Sequence, residues 1–244
     1  MVWINRIKSI FPWLGAANID EVRDLWVDSA LQSIRSGSRI LDAGAGTQRF
    51  KTCCQHLDYV SQDFGQYDGK GDDKGLHTGE FEYGILDIVC DITNIPEADG
   101  SFDAVVCVEV LEHLPNPVSA IEELTRLLKP GGEMILTAPF CSLTHFAPYH
   151  YSSGFNKYWY EKHLTDNGLI IKEIKPLGNF FDYIRTELYR INCIANKYTN
   201  RNRLSVLNFL AIFILQRSLF RLSKEDKGSS ELLCDCYVVR AYKK

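Results

Sequence analysis

The chain has 244 residues, of which 45% are hydrophobic and 24% are charged, and this composition is typical of a folded globular protein. A formal net charge of −4 provides no basic balance of the kind that binds nucleic acid. Eight cysteines are present without a C-x-x-C pair, so the spacing excludes a zinc finger. We therefore expect reduced thiols in a cytoplasmic protein that does not bind nucleic acid.

Helix-like and strand-like segments alternate from residue 20 to residue 175. This order predicts an α/β fold that is Rossmann-like and doubly wound, with a mostly parallel seven-stranded sheet. The predicted strands are 39–44, 58–63, 86–91, 102–110, 133–140, 169–177 and 234–243. Helices are predicted over 20–34, from Pro117 to the Pro-Gly-Gly at 130–132, and over 156–168.

The chain is predicted to form one domain with four parts. These are an N-terminal helical segment (1–37), the sheet core (38–177), a helical insertion (178–230) and the last strand (231–244). Because ligands of such sheets bind at the carboxyl ends of the strands, we expect the insertion to cover that edge as a lid. Packing of the insertion on the flank of the sheet is the alternative.

Two other segments have open interpretations. Residues 204–216 are apolar but stop at Arg217, which is short of the roughly 20 residues that span a bilayer. Ordinary packing explains this run best, and a homodimer interface or a peripheral membrane contact remains open. The loop 65–84 is rich in Gly and Asp and is interpreted as a mobile surface excursion that leaves the carboxyl end of a strand near the cleft.

The stretch RILDAGAGTQRF, residues 39–50, places two glycines directly after the first predicted strand. Nicotinamide-dependent enzymes carry G-x-G-x-x-G there, because a pyrophosphate needs close approach of the backbone. Here Arg49 stands in place of the third glycine, and Asp42 would repel a pyrophosphate. A ligand with a cationic part tolerates that carboxylate, and S-adenosylmethionine has a sulfonium and an ammonium group.

Two further carboxylates follow the next two predicted strands. Asp63 could accept hydrogen bonds from both hydroxyls of a ribose, and Asp91 could accept one from an adenine amine beside Ile92. Each residue alone is better explained as a turn former or a helix cap. Together with Asp42 they follow three successive strands, which favours a nucleoside site at this edge of the sheet.

The segments ILDAGAGT, DITNIPEADGSFDAVVCVEVLEHLPNP and LLKPGGEMILTAP resemble the class I S-adenosylmethionine-dependent methyltransferases. Within that class they look closest to the small-molecule group that includes the ubiquinone-type O-methyltransferases. The resemblance covers residues 38–140, and Gln48 stands where the family usually has a third glycine. The stretch TAPFCSLTHFAPYHYSSGFNKYWYEKHL is also similar to methyltransferases found with bacterial surface-polysaccharide genes.

The resemblance implies that the chain binds S-adenosyl-L-methionine. The residues that it assigns to this cofactor are Asp42, Gly44, Gly46, Asp63, Asp91, Ile92 and Glu109. Asp42 and the two glycines would hold the methionine end, with Asp63 on the ribose and Asp91 with Ile92 on the adenine. Glu109 would face the amino-acid part of the cofactor or the reaction cleft.

Transfer to a hydroxyl also needs a base, and histidine is the usual residue. The candidates are His113, His145 and His150. The last two follow the fifth predicted strand in one short loop, whereas a structural role for His113 is as well supported as a catalytic one. The sequence EVLEH (109–113) matches the E-x-x-E-H ligand pattern of some metal-dependent relatives, but it also occurs widely without a metal, so no metal is predicted.

The sequence therefore predicts a methyltransferase that acts on a hydroxyl of a small molecule or glycan, in polysaccharide biosynthesis, with a histidine taking the proton. Three alternatives remain open. They are a non-catalytic protein that binds the cofactor as a partner, an oxidoreductase with a nicotinamide cofactor, and a methyltransferase for nitrogen or RNA.

Overall fold

The computed structural model describes residues 17–72, 74–76, 81–200 and 205–244. Residues 1–16 of the predicted N-terminal helical segment lie outside this range. The helices are α1 (Ile19–Gln32), α2 (Pro117–Leu127), α3 (Lys157–Asp166), α4 (Phe180–Tyr198) and α5 (Val206–Lys224). The strands are β1 (Arg39–Ala43), β2 (Asp58–Asp63), β3 (Ile88–Val89), β4 (Phe102–Val108), β5 (Leu128–Pro139), β6 (Leu169–Leu177) and β7 (Cys236–Lys243).

The strands form one seven-stranded sheet in the order β3-β2-β1-β4-β5-β7-β6. The pairs from β3 through to β5 are parallel, and β7 pairs antiparallel with β5. The central strands β1 and β4 are almost entirely buried, as their near-continuous apolar sequence requires. The predicted mostly parallel Rossmann-like fold is confirmed, and the carboxyl ends of β1, β2 and β4 share one edge.

The strand at the β3 edge is shorter than the sequence predicts. The carboxylate of Asp87 accepts hydrogen bonds from the backbone N–H and the hydroxyl of Ser61, at 2.8 and 2.7 Å. The Asp87 side chain thus accepts the hydrogen bond from the Ser61 N–H that a backbone carbonyl would accept if β3 began earlier. The pattern over 86–91 therefore forms a ladder only at Ile88 and Val89.

Strand β5 is longer than predicted. It begins at Leu128, directly after α2, and includes the Pro-Gly-Gly at 130–132 that the sequence indicated as a helix end. A register shift in the β4 pairing between Phe102 and Ala104 takes up this irregular start. The prediction of where α2 ends is correct to within a few residues, and the prediction of where β5 begins is wrong.

The chain divides into two compact units. One contains the described residues up to Asp20 together with Pro176–Asp235, and the other contains Glu21–Lys175 with Cys236–Lys244. The first unit holds α4 and α5, so the insertion is helical, and its role as a lid stays a prediction. The second unit holds most of the sheet and all ten predicted site residues.

Helices α4 and α5 pack through a polar inner face. The Gln216 amide donates to the Arg185 carbonyl at 2.7 Å, and the Ser223 hydroxyl donates to Asp182 at 2.8 Å. Helix α5 continues through Arg217, where the apolar run was predicted to stop. By length and composition alone, this 19-residue helix is a candidate to cross a membrane. The apolar run 204–216 was expected to be too short for that.

The first unit also contains a buried carboxyl group whose ionisation is unfavourable. The Oδ2 atom of Asp235 is buried without a hydrogen-bond partner. Burial is the largest cause that raises its pKa to about 7, and the charge of Asp182 adds to the rise. Because the folded pKa lies above the unfolded one, ionisation of Asp235 opposes folding, and stability is lost as the pH rises from about 4 to 7.

We predict that Asp235→Asn raises the free energy of unfolding at pH 8 by about 1–2 kcal/mol, after discounting for the solvent that reaches this side chain. The gain should shrink towards pH 5, and denaturant unfolding at both pH values measures it. Asp226→Asn is the matched control, because hydrogen bonds from Ser229 lower the Asp226 pKa and reverse the sign. A gain that does not depend on pH would contradict the assignment.

Candidate active site

The glycine turn after β1 requires both glycines. Gly44 and Gly46 have φ values of 73° and 51°, which L side chains rarely adopt. A Cβ on Gly44 would lie 2.4 Å from a methyl carbon of Val110, so no side chain fits. The N–H groups of Gly44 and Ala45 both donate to the carbonyl of Gln62 at 2.9 Å, which fixes the turn against β2.

The carboxylate of Asp63 connects this turn to the chain that leaves β2. It accepts hydrogen bonds from the backbone N–H of Gly46 at 2.9 Å and of Gly65 at 3.1 Å. Burial raises the Asp63 pKa, and these backbone bonds oppose the rise. Each carboxylate oxygen has two acceptor sites, so the group can also accept from the hydroxyls of a ribose.

Asp42 lies beneath the turn and not in an open cleft. It is 3% exposed and accepts a hydrogen bond from the Tyr59 hydroxyl at 2.6 Å. Burial raises its pKa to about 6, although the bond from Tyr59 acts in the opposite direction. Its predicted contact with the methionine end of the cofactor stays a prediction, and the structure shows a buried carboxyl group bonded to Tyr59.

At the end of β3, Asp91 is exposed and its neighbour Ile92 is buried. The Asp91 carboxylate accepts from the Thr93 N–H and hydroxyl, at 2.8 and 2.7 Å. This is the turn-forming geometry that the sequence left open for each single Asp. The adenine contact of both residues stays a prediction.

Glu109 follows β4 with a φ of 56°. Its carboxylate accepts a hydrogen bond from the Thr137 hydroxyl at 2.8 Å and lies 3.2 Å from the guanidinium of Arg23. Arg23 is buried on α1, and the sequence analysis did not single it out. The charge of Glu109 is therefore already paired within the protein.

Part of the loop 65–84 packs on the glycine turn, whereas Gln66, Asp68 and residues 70–72 are exposed, so the predicted surface excursion describes only some of its described residues. Tyr67 is buried, and its ring centroid lies 4.5 Å from that of Phe146. The Phe81 ring lies 5.7 Å from the same phenylalanine. A carbon of Phe81 also comes within 3.3 Å of the position of a Cβ on Gly46, so this loop covers the turn.

Gln48 holds this loop in place. Its side-chain amide donates to the carbonyls of Tyr83 at 3.0 Å and Ile85 at 2.7 Å. Its backbone has a φ of 56°, the left-handed conformation that a glycine adopts without strain. The methyltransferases that the sequence resembles usually have a glycine at this position. Here Gln48 keeps the left-handed backbone conformation of a glycine, and its side chain also binds the loop 65–84.

A carboxyl group with no hydrogen-bond partner lies at the centre of the histidine cluster. Glu112 is fully buried, and neither carboxylate oxygen has a partner among the described residues. Burial, followed by the charge of Glu109, raises the Glu112 pKa well above its usual range. The Nε2 atoms of His113 and His145 lie 3.6 and 4.0 Å from one of its oxygens.

Both imidazoles are oriented by backbone carbonyls. The Nδ1 atom of His113 lies 2.6 Å from the Tyr149 oxygen, and that of His145 lies 2.9 Å from the Leu143 oxygen. A carbonyl can only accept, so in each ring Nδ1 carries the proton. With the proton on Nδ1, the lone pair of each neutral imidazole is on Nε2, the atom that lies nearer to Glu112.

His150 completes the cluster, and its ring centroid lies 4.8 Å from that of His145. Its Nε2 atom is 3.2 Å from the Ser142 hydroxyl oxygen. Burial lowers the pKa of His150, and it lowers that of His113 to about 4. The structure thus brings the three predicted histidines together.

The possible metal ligands differ from the set that the sequence suggested. One ligand atom each from Glu112, His113 and His145 lie within 4.8 Å of one another. Glu109, which E-x-x-E-H would include, is paired with Arg23, and His145 from the loop after β5 stands in its place. Sequence spacing could not show this, because His145 is 32 positions from His113.

The cluster and the glycine turn share the same edge of the sheet. The His113 ring lies 5.0 Å from the ring of Phe146, which contacts the loop over the turn through Phe81. This arrangement places two proton acceptors and a buried carboxyl group beside a turn built for close approach of a ligand. The fold and the edge are those of a class I methyltransferase.

Comparison with known proteins supports this class. Residues 41–136 match the model of a methyltransferase domain. The ubiquinone biosynthesis O-methyltransferase of Dechloromonas aromatica is 32% identical over 124 residues, which cover 49% of this chain and 51% of that protein. The chain thus spans about half the length of this relative. The ubiquinone biosynthesis O-methyltransferase of Xanthomonas oryzae is 56% identical over 41 residues, 17% of each chain.

A solved structure gives the same result for the fold. The phosphoethanolamine N-methyltransferase 2 of Haemonchus contortus, in complex with S-adenosyl-L-methionine, has a TM-score of 0.51 at 19% identity. The match covers 91% of this chain and 52% of that one. The chain carries a class I S-adenosylmethionine-dependent methyltransferase domain, and the resemblance stated from the sequence is confirmed.

We predict that Gln48→Ala frees the loop over the turn. Two hydrogen bonds of about 1 kcal/mol each are lost, so hydrogen exchange of the Tyr67 amide, which donates to the Tyr83 hydroxyl in this loop, should accelerate by about tenfold to thirtyfold. Lys51→Ala is the control, because the Lys51 ammonium donates to the Gln48 side-chain oxygen and its removal leaves the two bonds to the loop in place. Unchanged exchange in Gln48→Ala, measured by mass spectrometry, would contradict the role of Gln48.

Proposed function

We propose that the chain transfers a methyl group from S-adenosyl-L-methionine to a hydroxyl oxygen of a small molecule or glycan. The observation that carries this proposal is the cluster of Glu112, His113, His145 and His150 at the edge of the sheet that holds the glycine turn. Transfer to oxygen benefits from a proton acceptor, and a neutral amine can react without one. The cluster therefore favours oxygen over nitrogen as the acceptor atom.

The residues of the turn fit the cofactor. Asp63 is oriented by two backbone N–H groups and has acceptor sites left for the ribose hydroxyls. Gly44 and Gly46 keep the backbone free of side chains, and the buried carboxylate of Asp42 supplies negative potential beneath the turn. S-adenosyl-L-methionine supplies a methyl group on a positively charged sulfur.

The acceptor would bind beside the histidines. As the new O–C bond forms and the C–S bond breaks, the electron pair of the C–S bond goes to sulfur, and the hydroxyl proton passes to an imidazole. His145 and His150 have this role in the proposal, because a pKa of about 4 makes His113 a poor base near neutral pH. His113 is then a positioning residue, held by Tyr149.

A divalent cation is the second candidate for activating the acceptor. Two imidazole nitrogens and one carboxylate oxygen lie close enough together to bind one ion, and this combination suits Zn²⁺ or Mn²⁺. The Nδ1 bonds to carbonyls are the contacts that orient metal-bound histidines. The ligands would be Glu112, His113 and His145, and a cation there would acidify a hydroxyl that it coordinates.

The remaining functional expectations are also proposals. A role in polysaccharide biosynthesis rests only on the sequence likeness of the loop after β5. The eight cysteines are free thiols, which agrees with a cytoplasmic protein. The non-catalytic alternative gains nothing from Gln48, because this residue keeps the backbone conformation of the turn. The net charge of −4 continues to disfavour RNA as the substrate.

We predict that the chain, given methyl-labelled cofactor and a cell extract, labels a fraction of low molecular mass or a glycan. His145→Ala should reduce the rate by about a hundredfold or more, the usual contribution of a general base. His163→Ala is the control, since His163 lies on α3 against Trp159. Label that enters RNA, or no label at all, would contradict the proposal.

A chelator arm of the same assay separates the two ways of activating the acceptor. If a cation is required, EDTA abolishes transfer, added Mn²⁺ restores it, and Glu112→Gln cannot be rescued. If an imidazole is the base, the rate is unchanged by EDTA. Circular dichroism of each variant establishes that it is folded.

A further inference from the structure

Exposed apolar side chains are concentrated in the first half of α5. They are Val206, Leu207, Phe209, Leu210, Ile214 and Leu215. Leu207 is 77% exposed and Ile214 is 58% exposed, although large apolar side chains normally lie inside a protein. A contiguous patch of this kind marks a surface that another apolar partner covers.

The rest of the helical pair does not cover this patch. The inner face of α5 carries Gln216 and Ser223, which bond α4, and Phe220, whose ring lies 5.0 Å from the Arg185 guanidinium. At 100° per residue, Leu207 and Ile214 lie on the opposite side of α5. The packing of α4 against α5 is therefore complete without the apolar patch.

The helical pair also differs from the whole chain in charge. Residues 180–224 contain eight Lys or Arg residues and two acidic residues, in a chain with a net charge of −4. One turn and two turns beyond Ile214, the outer face continues with Arg217 and Arg221, and both are exposed. Apolar side chains at one end of a helical face and cations at the other suit a helix that enters a lipid interface at an angle, because basic side chains keep their charged ends among the headgroups.

We propose that α5 docks on the surface of a bilayer that contains anionic lipids. The side chains of Leu207, Leu210 and Ile214 enter the boundary of the acyl chains, and Arg221 and Lys224 lie among the phosphates. Charge complementarity selects this occupant, since anionic leaflets attract clustered Lys and Arg residues.

A second copy of the chain fits this face less well. If two α5 helices paired parallel, they would bring like charges together. If they paired antiparallel, Arg221 would face the partner's apolar half and be buried without a counterion. A helix that crossed the bilayer would place Arg217 inside the hydrocarbon, where a charged side chain is strongly disfavoured.

Flotation of the full chain with phosphatidylcholine vesicles, with and without phosphatidylglycerol, tests this proposal. We expect binding to the anionic vesicles only, weakened by salt because the attraction is screened. Leu207→Ser, Leu210→Ser and Ile214→Ser together should lower partitioning at least tenfold. Arg221→Gln should lower it about fivefold, the contribution of one basic residue near the surface.

The matched control combines Ile170→Ser with Leu232→Ser, since both residues are exposed and lie outside α5. This variant should bind as the wild type does, and circular dichroism should show every variant folded. Equal binding to neutral vesicles, no binding by the wild type, or equal loss in the control would overturn the proposal. Resistance to carbonate extraction, or a dimer that the triple substitution dissociates without any vesicle binding, would overturn it as well.

Discussion

The carboxylate of Asp63 holds together the two segments that leave the sheet beside the proposed cofactor site. One of its oxygens accepts from Gly46 in the turn after β1, and the other accepts from Gly65 in the loop after β2. Without it, two backbone N–H groups would lose their partner, at a cost of about 1–3 kcal/mol for each that stays buried. The position of Phe81 over the turn depends on this connection, because both segments must be fixed for the contact to form.

The histidine cluster, in contrast, contains a side chain that opposes the stability of the fold. A fully buried carboxyl group without a hydrogen-bond partner opposes folding, and proteins usually avoid one. Glu112 nevertheless lies between two imidazoles whose other nitrogens are held by carbonyls. Buried polar groups without hydrogen bonds, next to side chains that hydrogen bonds hold in one orientation, are typical of functional sites. The acceptor chemistry that we propose depends on this cluster, and the cofactor chemistry depends on the turn.

The sequence predicted the features that follow from periodicity. Buried strands such as β1 and β4 were evident because both of their faces are apolar, and the turn was evident because Gly44 and Gly46 allow a left-handed backbone. Features that depend on side chains meeting across the chain were not predictable. The ion pair of Glu109 with Arg23 joins residues 86 positions apart, and Asp87 shortens β3 through a side-chain bond to Ser61.

The loops show the same limit. Gly and Asp indicated an exposed excursion after β2, but Tyr67 and Phe81 in that loop find aromatic partners after β5, which composition could not reveal. The three histidines were identified by residue type. That two of them, His113 and His145, lie beside Glu112 follows only from the course of the loop after β5, where the Leu143 and Tyr149 carbonyls fix these two rings.

Calorimetric binding of S-adenosylhomocysteine to the wild type and to Asp63→Ala tests the central claim most directly. A carboxylate that accepts from the ribose contributes a charged hydrogen bond of about 1.5–3 kcal/mol, so we predict that Asp63→Ala weakens binding by at least tenfold. Asp166→Ala, an exposed aspartate at the end of α3, should bind as the wild type does. No binding by the wild type, or equal affinity in a folded Asp63→Ala protein, would contradict the account.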